Sequence, residues 1–202
     1  GSRRDFIKGT IVGGVAATAA MAGGELVGGL INQNSPTTPG LEGLNQSSRK
    51  FSPLGRHQPG IAAEPLRFTR LIAFDILPKV KKSDMTAWMT ILSDDIDRLM
   101  TGTALLADPQ PELSELDSGL AIVVGFGPSL FEKLDLLKEI PLGFKELPKF
   151  KIDQLDVQIS HGDVIVMISS DDALQLANTT RALIRDSAYF ASIRWQQDGF
   201  SS

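Results

Sequence analysis

Four runs along the chain carry the apolar pattern of β-strands. The first, Leu66 to Leu77, places Phe68, Ile72, Phe74 and Ile76 on one side at a period of two. The other three runs are Leu120 to Phe126, Asp163 to Ser169 and Ala191 to Gln197. The third is apolar at every position from Val164 to Ile168, which predicts that both of its faces are covered.

The fourth run alternates around a single charged residue. In Ala191 to Gln197 we expect Ile193 and Trp195 to point inward and Arg194 to point outward. On this pattern we expect Trp195 to lie in the core. The alternative is that it contacts a second domain.

Two segments have the three-and-four spacing of amphipathic helices. The first runs from about Asp84 to Met100, with Ser83 as the expected N-cap. Its apolar positions, expected to form core, are Met85, Trp88, Met89, Leu92, Ile96 and Leu99. Asp94, Asp95 and Asp97 are expected to face water, because their mid-helix spacing spreads them and they lack the glycine and glutamate of a calcium loop.

The second helix, about Asp171 to Asp186, starts with two aspartates, interpreted as caps. It carries Arg181 and Arg185 near its end, as the helix dipole favours. The elements therefore run strand, helix, strand, twice over. This order predicts an α+β fold, the ferredoxin-like split βαβ arrangement, with one antiparallel sheet and two helices on one face.

About 36 residues separate the second and third strands, too many for a hairpin loop. Within them Pro128 to Leu137 is predicted to form a short helix. Connections of this length are typically functional or form interfaces, so we expect this one to contribute to a contact surface.

Composition narrows the classes of function. A net charge of −4 and a pI near 5.2 argue against a nucleic-acid partner. The chain has no cysteine, which excludes disulfides, zinc thiolate sites and iron–sulfur clusters.

The N-terminus has the pattern of a twin-arginine export signal. Arg3, Arg4, Phe6 and Lys8 precede the stretch Gly9 to Ile31, in which Glu25 is the only charge. We expect the twin-arginine translocase to export the chain to a periplasmic or extracellular location, with a membrane anchor as the outcome if the signal stays uncleaved.

The chain divides by composition into three parts. Residues 1–31 are the predicted signal, 32–65 a linker and irregular lead-in rich in Ser, Pro, Gly and Asn, and 66–202 the ferredoxin-like domain. Because the chain starts without Met and ends directly after a strand-like run, we expect it to be a fragment.

Several short strings carry a family resemblance. They are His57-Gln58-Pro59-Gly60-Ile61, Phe74-Asp75-Ile76, Gly125 to Phe131, Leu147 to Phe150, Asp153 to Asp156, His161 to Val164 and Arg194 to Phe200. In this order and spacing they resemble the N-terminal half of the dye-decolorizing (DyP-type) haem peroxidases, in their exported bacterial deferrochelatase/peroxidase-like branch. The resemblance covers roughly residues 51 to 202.

The resemblance implies a haem b enzyme that reduces hydrogen peroxide while oxidising dyes or other reductants, with release of iron from haem as a further reaction. The family signature Gly-x-x-Asp-Gly, the iron-binding histidine and the distal arginine are expected beyond residue 202. The only Asp-Gly pair is Asp198-Gly199, and Trp195 stands where the signature needs its first glycine. No catalytic, cofactor-binding or metal-binding residue is therefore assigned in this chain, which alone is expected to be inactive and to need its C-terminal half as a partner.

Only His57 and His161 could serve an independent haem or metal site. For His161, Asp163 is the conceivable orienting partner, but a turn residue at the strand entrance is the preferred interpretation. His57 is interpreted as a structural tie that packs the lead-in against the sheet. The alternative to the peroxidase interpretation is that the chain is a complete, exported, non-enzymatic binding module with a ferredoxin-like fold.

Overall fold

The computed structural model describes residues 49–106, 108–111, 119–144, 148 and 150–201, all within a compact unit that spans residues 42–202. The predicted export signal and the linker up to residue 48 lie outside the described residues. No helix within the described ranges is long and apolar enough to cross a membrane.

The elements follow the predicted order. Strands are β1 (Phe68–Ile76), β2 (Leu120–Phe126), β3 (Val164–Ser170) and β4 (Ala191–Phe200). Helices are α1 (Lys82–Met100), α2 (Pro128–Lys133) and α3 (Ala173–Ser187). Short 3-10 turns occupy Leu137–Glu139 and Val157–Ile159 in the connection between β2 and β3. The short helix expected to reach Leu137 thus ends at Lys133, and a separate turn follows it.

The strands form one sheet in the order β2-β3-β1-β4, and every neighbouring pair is antiparallel. The order places β3 between β1 and β2, and β1 between β3 and β4, so α1 and α3 each cross over one strand. The predicted ferredoxin-like split βαβ fold is confirmed.

The core lies between the sheet and the long helices. Ile72, Phe74 and Ile76 of β1 point towards the helices as their period predicted, and all are buried. Trp88 of α1 is fully buried, with its ring edge-on to Phe74 and stacked on Phe190 at 5.9 Å between centroids. Its indole N–H donates to Ser187 Oγ at 3.1 Å, which satisfies the polar atom of this core side chain.

Two predictions about α1 were wrong. The helix begins at Lys82 instead of Asp84, so Ser83 lies inside it, and the Asp84 carboxylate accepts from the Lys81 N–H at 2.9 Å. Asp95 does not face water: it is buried, whereas Asp94 and Asp97 are exposed as expected. Position 95 lies three residues after buried Leu92 and four before buried Leu99, which places it on the core side.

The paired aspartates before α3 have different roles. Asp172 is the N-cap, and its carboxylate accepts from the Gln175 N–H at 2.8 Å, as the cap interpretation predicts. Asp171 instead accepts from the Arg49 guanidinium at 2.7 to 3.1 Å and from the Arg67 N–H at 2.9 Å. It therefore ties the lead-in to the end of β3.

The lead-in closes the β2 edge of the sheet. The Gln58 side chain accepts from the Val124 N–H at 2.8 Å and donates to the Val124 carbonyl at 2.9 Å. Gly60 then lies against Val123 and Ala121 on the face away from the helices. His57 is exposed, so the predicted tie to the sheet is made by its neighbour Gln58.

A β-bulge corrects the faces predicted for β4. Trp195 pairs with Ala73 but Ile193 pairs with Phe74, so Arg194 is the extra residue. Trp195 consequently shares the sheet face of Ala73, away from the helices, and Ile193 shares the face of Phe74. Trp195 is half-buried and is not part of the helix-side core that its alternation with Ile193 predicted.

Candidate functional site: the cleft between strand β4 and the connecting segment

A cleft of about 480 Å³ lies between the end of the sheet and residues 127–162, called here the connecting segment. Its lining consists of Phe126, Gly127, Pro128, Ser129, Glu132, His161, Gly162, Ile165 and Trp195. It contains one of the two histidines and one of the two tryptophans of the chain. An aromatic cleft with a few polar groups is the usual form of a recognition site.

Asp163 anchors the wall of this cleft. Its side chain is fully buried, and its Oδ2 accepts from the Ile76 N–H at 2.8 Å and from Lys133 Nζ at 2.6 Å. Its Oδ1 accepts from Ser129 Oγ at 2.6 Å. Because a buried carboxylate without partners is strongly destabilising, these donors are what allow an aspartate at this position.

The backbone of Asp163 extends the same connection. Its N–H donates to the Phe74 carbonyl at 2.8 Å, and its carbonyl accepts from the Gly127 N–H at 2.8 Å. One residue thus joins β1, the end of β2 and α2 through both its backbone and its side chain. These hydrogen bonds fix the points at which the connecting segment leaves β2 and returns to the sheet at β3.

Close backbone contact selects glycine at the two ends of the segment. A Cβ on Gly127 would lie 2.0 Å from the Gly162 carbonyl oxygen, so no larger residue fits there. Gly162 has φ of +140°, and the preceding His161 has φ of +62°, in the left-handed region. His161 is therefore a turn residue at the entrance of β3, as predicted from the sequence.

Arg194 holds the connecting segment against β4. Its guanidinium donates to the Ser160 carbonyl at 2.8 Å and to the Val157 carbonyl at 2.8 Å. A third bond, 3.0 Å long, goes to Asp75 Oδ2 on β1. The planar fork of arginine suits this triple contact, since its donors point in fixed directions. The bulge in β4 places Arg194 where it makes these contacts.

The Trp195 ring is fixed in the cleft by a hydrogen bond. Its Nε1–H donates to the His161 carbonyl at 2.8 Å, across 34 positions of sequence. The indole therefore cannot rotate without losing a bond, and it presents a rigid aromatic wall beside Ile165.

The polar groups of the cleft do not form a catalytic unit. The Ser129 hydroxyl is directed to Asp163, and that carboxylate is already neutralised by Lys133. Asp163 thus contacts Lys133, Ser129 and the Ile76 N–H, and no bond from it to His161 is found in the part of the chain that the structure describes. The His161 and Glu132 side chains are exposed at the rim. This arrangement suits recognition and positioning, and it offers no activated nucleophile.

The residues described also give no metal centre. Across residues 49–201, leaving aside the gaps, no group of three or more His, Asp or Glu side chains is arranged to hold a metal ion. The export residues Arg3, Arg4, Phe6 and Lys8 lie outside the described residues.

The most informative residues of the cleft were not found from the sequence. Lys133 was assigned no role, and Asp163 was considered only as an orienting partner for His161. Asp75 and Ser129 entered only as parts of quoted strings. Two signals were available: Ser129 and Lys133 are four apart on one helical face, and Asp163 is a charge at the start of an apolar strand.

Comparison with known proteins assigns the chain to a family. The profile described as "Dyp-type peroxidase, N-terminal" matches residues 58–201, most of the chain. The chain belongs to the Dyp-type peroxidase family, as the N-terminal region of that family.

Two curated relatives are named deferrochelatase. The protein of Shigella flexneri serotype 5b (strain 8401) is 29% identical over 212 residues, which cover 100% of this chain and 48% of the relative. The protein of Escherichia coli (strain K12) is 29% identical over 181 residues, covering 84% of this chain and 43% of the relative. The chain spans about half the length of the curated relatives it matches.

Solved structures agree with this assignment. The DyP-type peroxidase from Cellulomonas bogoriensis is 34% identical, with a TM-score of 0.74 over 78% of this chain and 44% of that chain. DtpA from Streptomyces lividans, solved as an oxyferrous complex, is 34% identical, with a TM-score of 0.73 over 78% of this chain and 43% of that chain.

Proposed function

We propose that the chain is the N-terminal half of a haem-dependent peroxidase that reduces hydrogen peroxide at the expense of a reducing substrate. The observation that carries this proposal is the family match over residues 58–201, combined with the coverage of less than half of each relative. In this proposal the chain contributes structure and contact surface, and the second half contributes the chemistry.

The described residues do not fit a haem site of their own. His57 and His161 are exposed, and His161 is engaged through its backbone in a turn. A haem-binding histidine needs its second ring nitrogen held by a partner, and Asp163, the candidate for that role, is bound by Lys133, Ser129 and the Ile76 N–H instead. The proposed cofactor is haem b, with its ligands in the second half.

Two apolar surfaces support a second half as partner. On the sheet face away from the helices, Leu71, Val123, Ile165 and Met167 are only half-buried. In the connecting segment, the side chains that are more than half exposed include Phe150, Ile152, Leu155, Val157 and Ile159. Several exposed apolar side chains in one segment are typical of an interface. The partner proposed for both surfaces is the C-terminal half of the same protein.

The reducing substrate is proposed to be a dye or a similar small organic reductant. Release of iron from haem is the second candidate reaction, because the matched relatives carry the name deferrochelatase. The two reactions differ in product: one consumes peroxide and bleaches a dye, and the other yields free iron and an intact porphyrin.

We propose that the chain is exported by the twin-arginine route. The twin-arginine translocase is then a partner, and the destination is periplasmic or extracellular. The support is the sequence pattern of Arg3, Arg4, Phe6 and Lys8 before an almost uncharged stretch. A folded reporter fused behind residues 1–48 should be exported, and replacing both arginines by lysine should retain it in the cytoplasm. Export of the double variant would refute the proposal.

The peroxidase proposal is tested by comparing two proteins. The 202-residue chain, mixed with haemin, peroxide and an anthraquinone dye, should give neither a stable Soret band nor bleaching. The longer protein encoded by the continuous reading frame should give both, and Escherichia coli deferrochelatase serves as a reference. Bleaching by the 202-residue chain would place the active site here, and a longer protein without haem would refute the function.

A further inference from the structure

The contact between α1 and α3 buries a carboxyl group that forms no ion pair with the residues that the structure describes. Asp95 is 8% exposed, and its Oδ2 is among the buried side-chain atoms without a hydrogen bond within the described residues. A charged carboxylate in such a position loses hydration that nothing replaces. An aspartate here is therefore either a destabilising charge or a neutral acid.

The groups around Asp95 favour the neutral acid. Asp186 of α3 faces it across the helix contact and Asp94 precedes it, both adding negative charge. Arg185 is the nearby cation, but its guanidinium is bound to Asp186 at 2.8 and 3.0 Å. Asp108, in the connection after α1, adds a further carboxylate close to Arg185.

Physical chemistry sets the state of two facing carboxyl groups. Two negative charges close together repel, so one group keeps its proton and can donate it to the other as a hydrogen bond. Asp186 already has a cationic partner and is the better acceptor. Asp95, buried and without such a partner, is the better place for the proton.

The titration of Asp95 agrees with this geometry. Burial first, and then repulsion and hydrogen bonding from the neighbouring Asp186, together raise the pKa of Asp95 to about 6. A carboxyl group whose pKa is raised in the folded state binds its proton more tightly than in the unfolded chain. The stabilisation is therefore complete below the ordinary aspartate pKa of 3.8 and is lost progressively as pH rises towards about 6.

We propose that Asp95 and Asp186 share one proton across the α1–α3 contact and that the pair acts as a pH-sensitive clasp. In mildly acidic solution the shared proton holds the two helices together. At neutral and alkaline pH the proton leaves, and two carboxylates at the contact loosen it.

The test measures the unfolding equilibrium of the 202-residue protein by urea titration from pH 4 to pH 8. Relative to Asp95→Asn, the wild-type equilibrium constant for folding should fall by about ten- to a hundredfold over this range, the upper bound following from the shift of the Asp95 pKa. Asp186→Asn should weaken this dependence and leave the part that the burial of Asp95 causes. Asp97→Asn, on the exposed side of α1, should keep the wild-type profile.

A second measurement does not depend on any variant. The carboxyl carbon of Asp95 in the wild-type protein, followed by NMR, should titrate with a midpoint near 6. A midpoint near 4, or a wild-type profile parallel to that of Asp95→Asn, would overturn the proposal.

Discussion

The side-chain amide of Gln58 forms two hydrogen bonds with the backbone of a single residue, Val124, at 2.8 and 2.9 Å. It thereby occupies one donor and one acceptor on the outer edge of β2, as a neighbouring strand would. Unpaired edges attract further strands, and a side chain that pairs with the backbone blocks that association at little structural cost.

Replacing Gln58 by Leu should expose this edge. Two hydrogen bonds are lost from a partly exposed position, so we expect a loss of about 1–2 kcal/mol in the free energy of unfolding, with increased association at high concentration. Urea titration and light scattering measure the two effects. Gln154→Leu, at an exposed position of the connecting segment, is the control, and equal behaviour of the two variants would contradict the role of Gln58.

Replacing Lys133 by Met should leave the buried carboxylate of Asp163 without its cation. Two neutral donors remain and Lys133 is partly exposed, so the expected loss is about 1–3 kcal/mol. The double variant with Asp163→Asn should recover part of it, because no charge is then left unpaired. Glu132→Gln on the same helix should be nearly neutral. A double variant no more stable than Lys133→Met would argue against charge as the cause.

Replacing Gly127 by Ala should displace the connecting segment. The added Cβ would lie 2.0 Å from the Gly162 carbonyl oxygen, and the backbone on both sides must shift. We expect a loss of more than about 2 kcal/mol, comparable with overpacking in a core. Gly199→Ala, where a Cβ meets nothing within 4 Å, is the matched control. Thermal unfolding measures both, and similar melting temperatures would contradict the close contact.

Replacing Trp195 by Ala should act on the longer protein through packing. The ring lines the cleft on the sheet face that we assign to the second half, and it fixes the His161 turn. We expect lower thermal stability and weaker retention of haem, with the haem spectrum of the bound form unchanged. Trp195→Phe keeps the ring and loses only the hydrogen bond, so its effect should be smaller. Unaltered stability and haem occupancy in Trp195→Ala would show that this placement is wrong.

Much of the fold was predictable because it depends on local patterns. The continuous apolar run of β3 and the spacing of Trp88 with Leu92 in α1 are each decided within one element. Their order alone then restricts the topology to the split βαβ arrangement.

The errors arise where contacts between residues distant in the sequence determine the structure. The bulge that moves Trp195 to the other sheet face depends on pairing with β1, more than a hundred positions away. The burial of Asp95 depends on α3 packing beside α1, and three acidic residues within four positions, considered alone, indicate a hydrated surface. The role of Asp163 requires Lys133 and the Ile76 N–H, which meet only in the folded chain.

The different surroundings of the two tryptophans give the protein two intrinsic optical probes. Trp88 lies sealed among Phe74, Phe190 and Ser187, so its fluorescence should be blue-shifted and inaccessible to acrylamide. Trp195 is half-buried in an open cleft, so its emission should be red-shifted and readily quenched. A change in the Trp195 fluorescence alone would therefore report release of the connecting segment while the helix-side core is still intact.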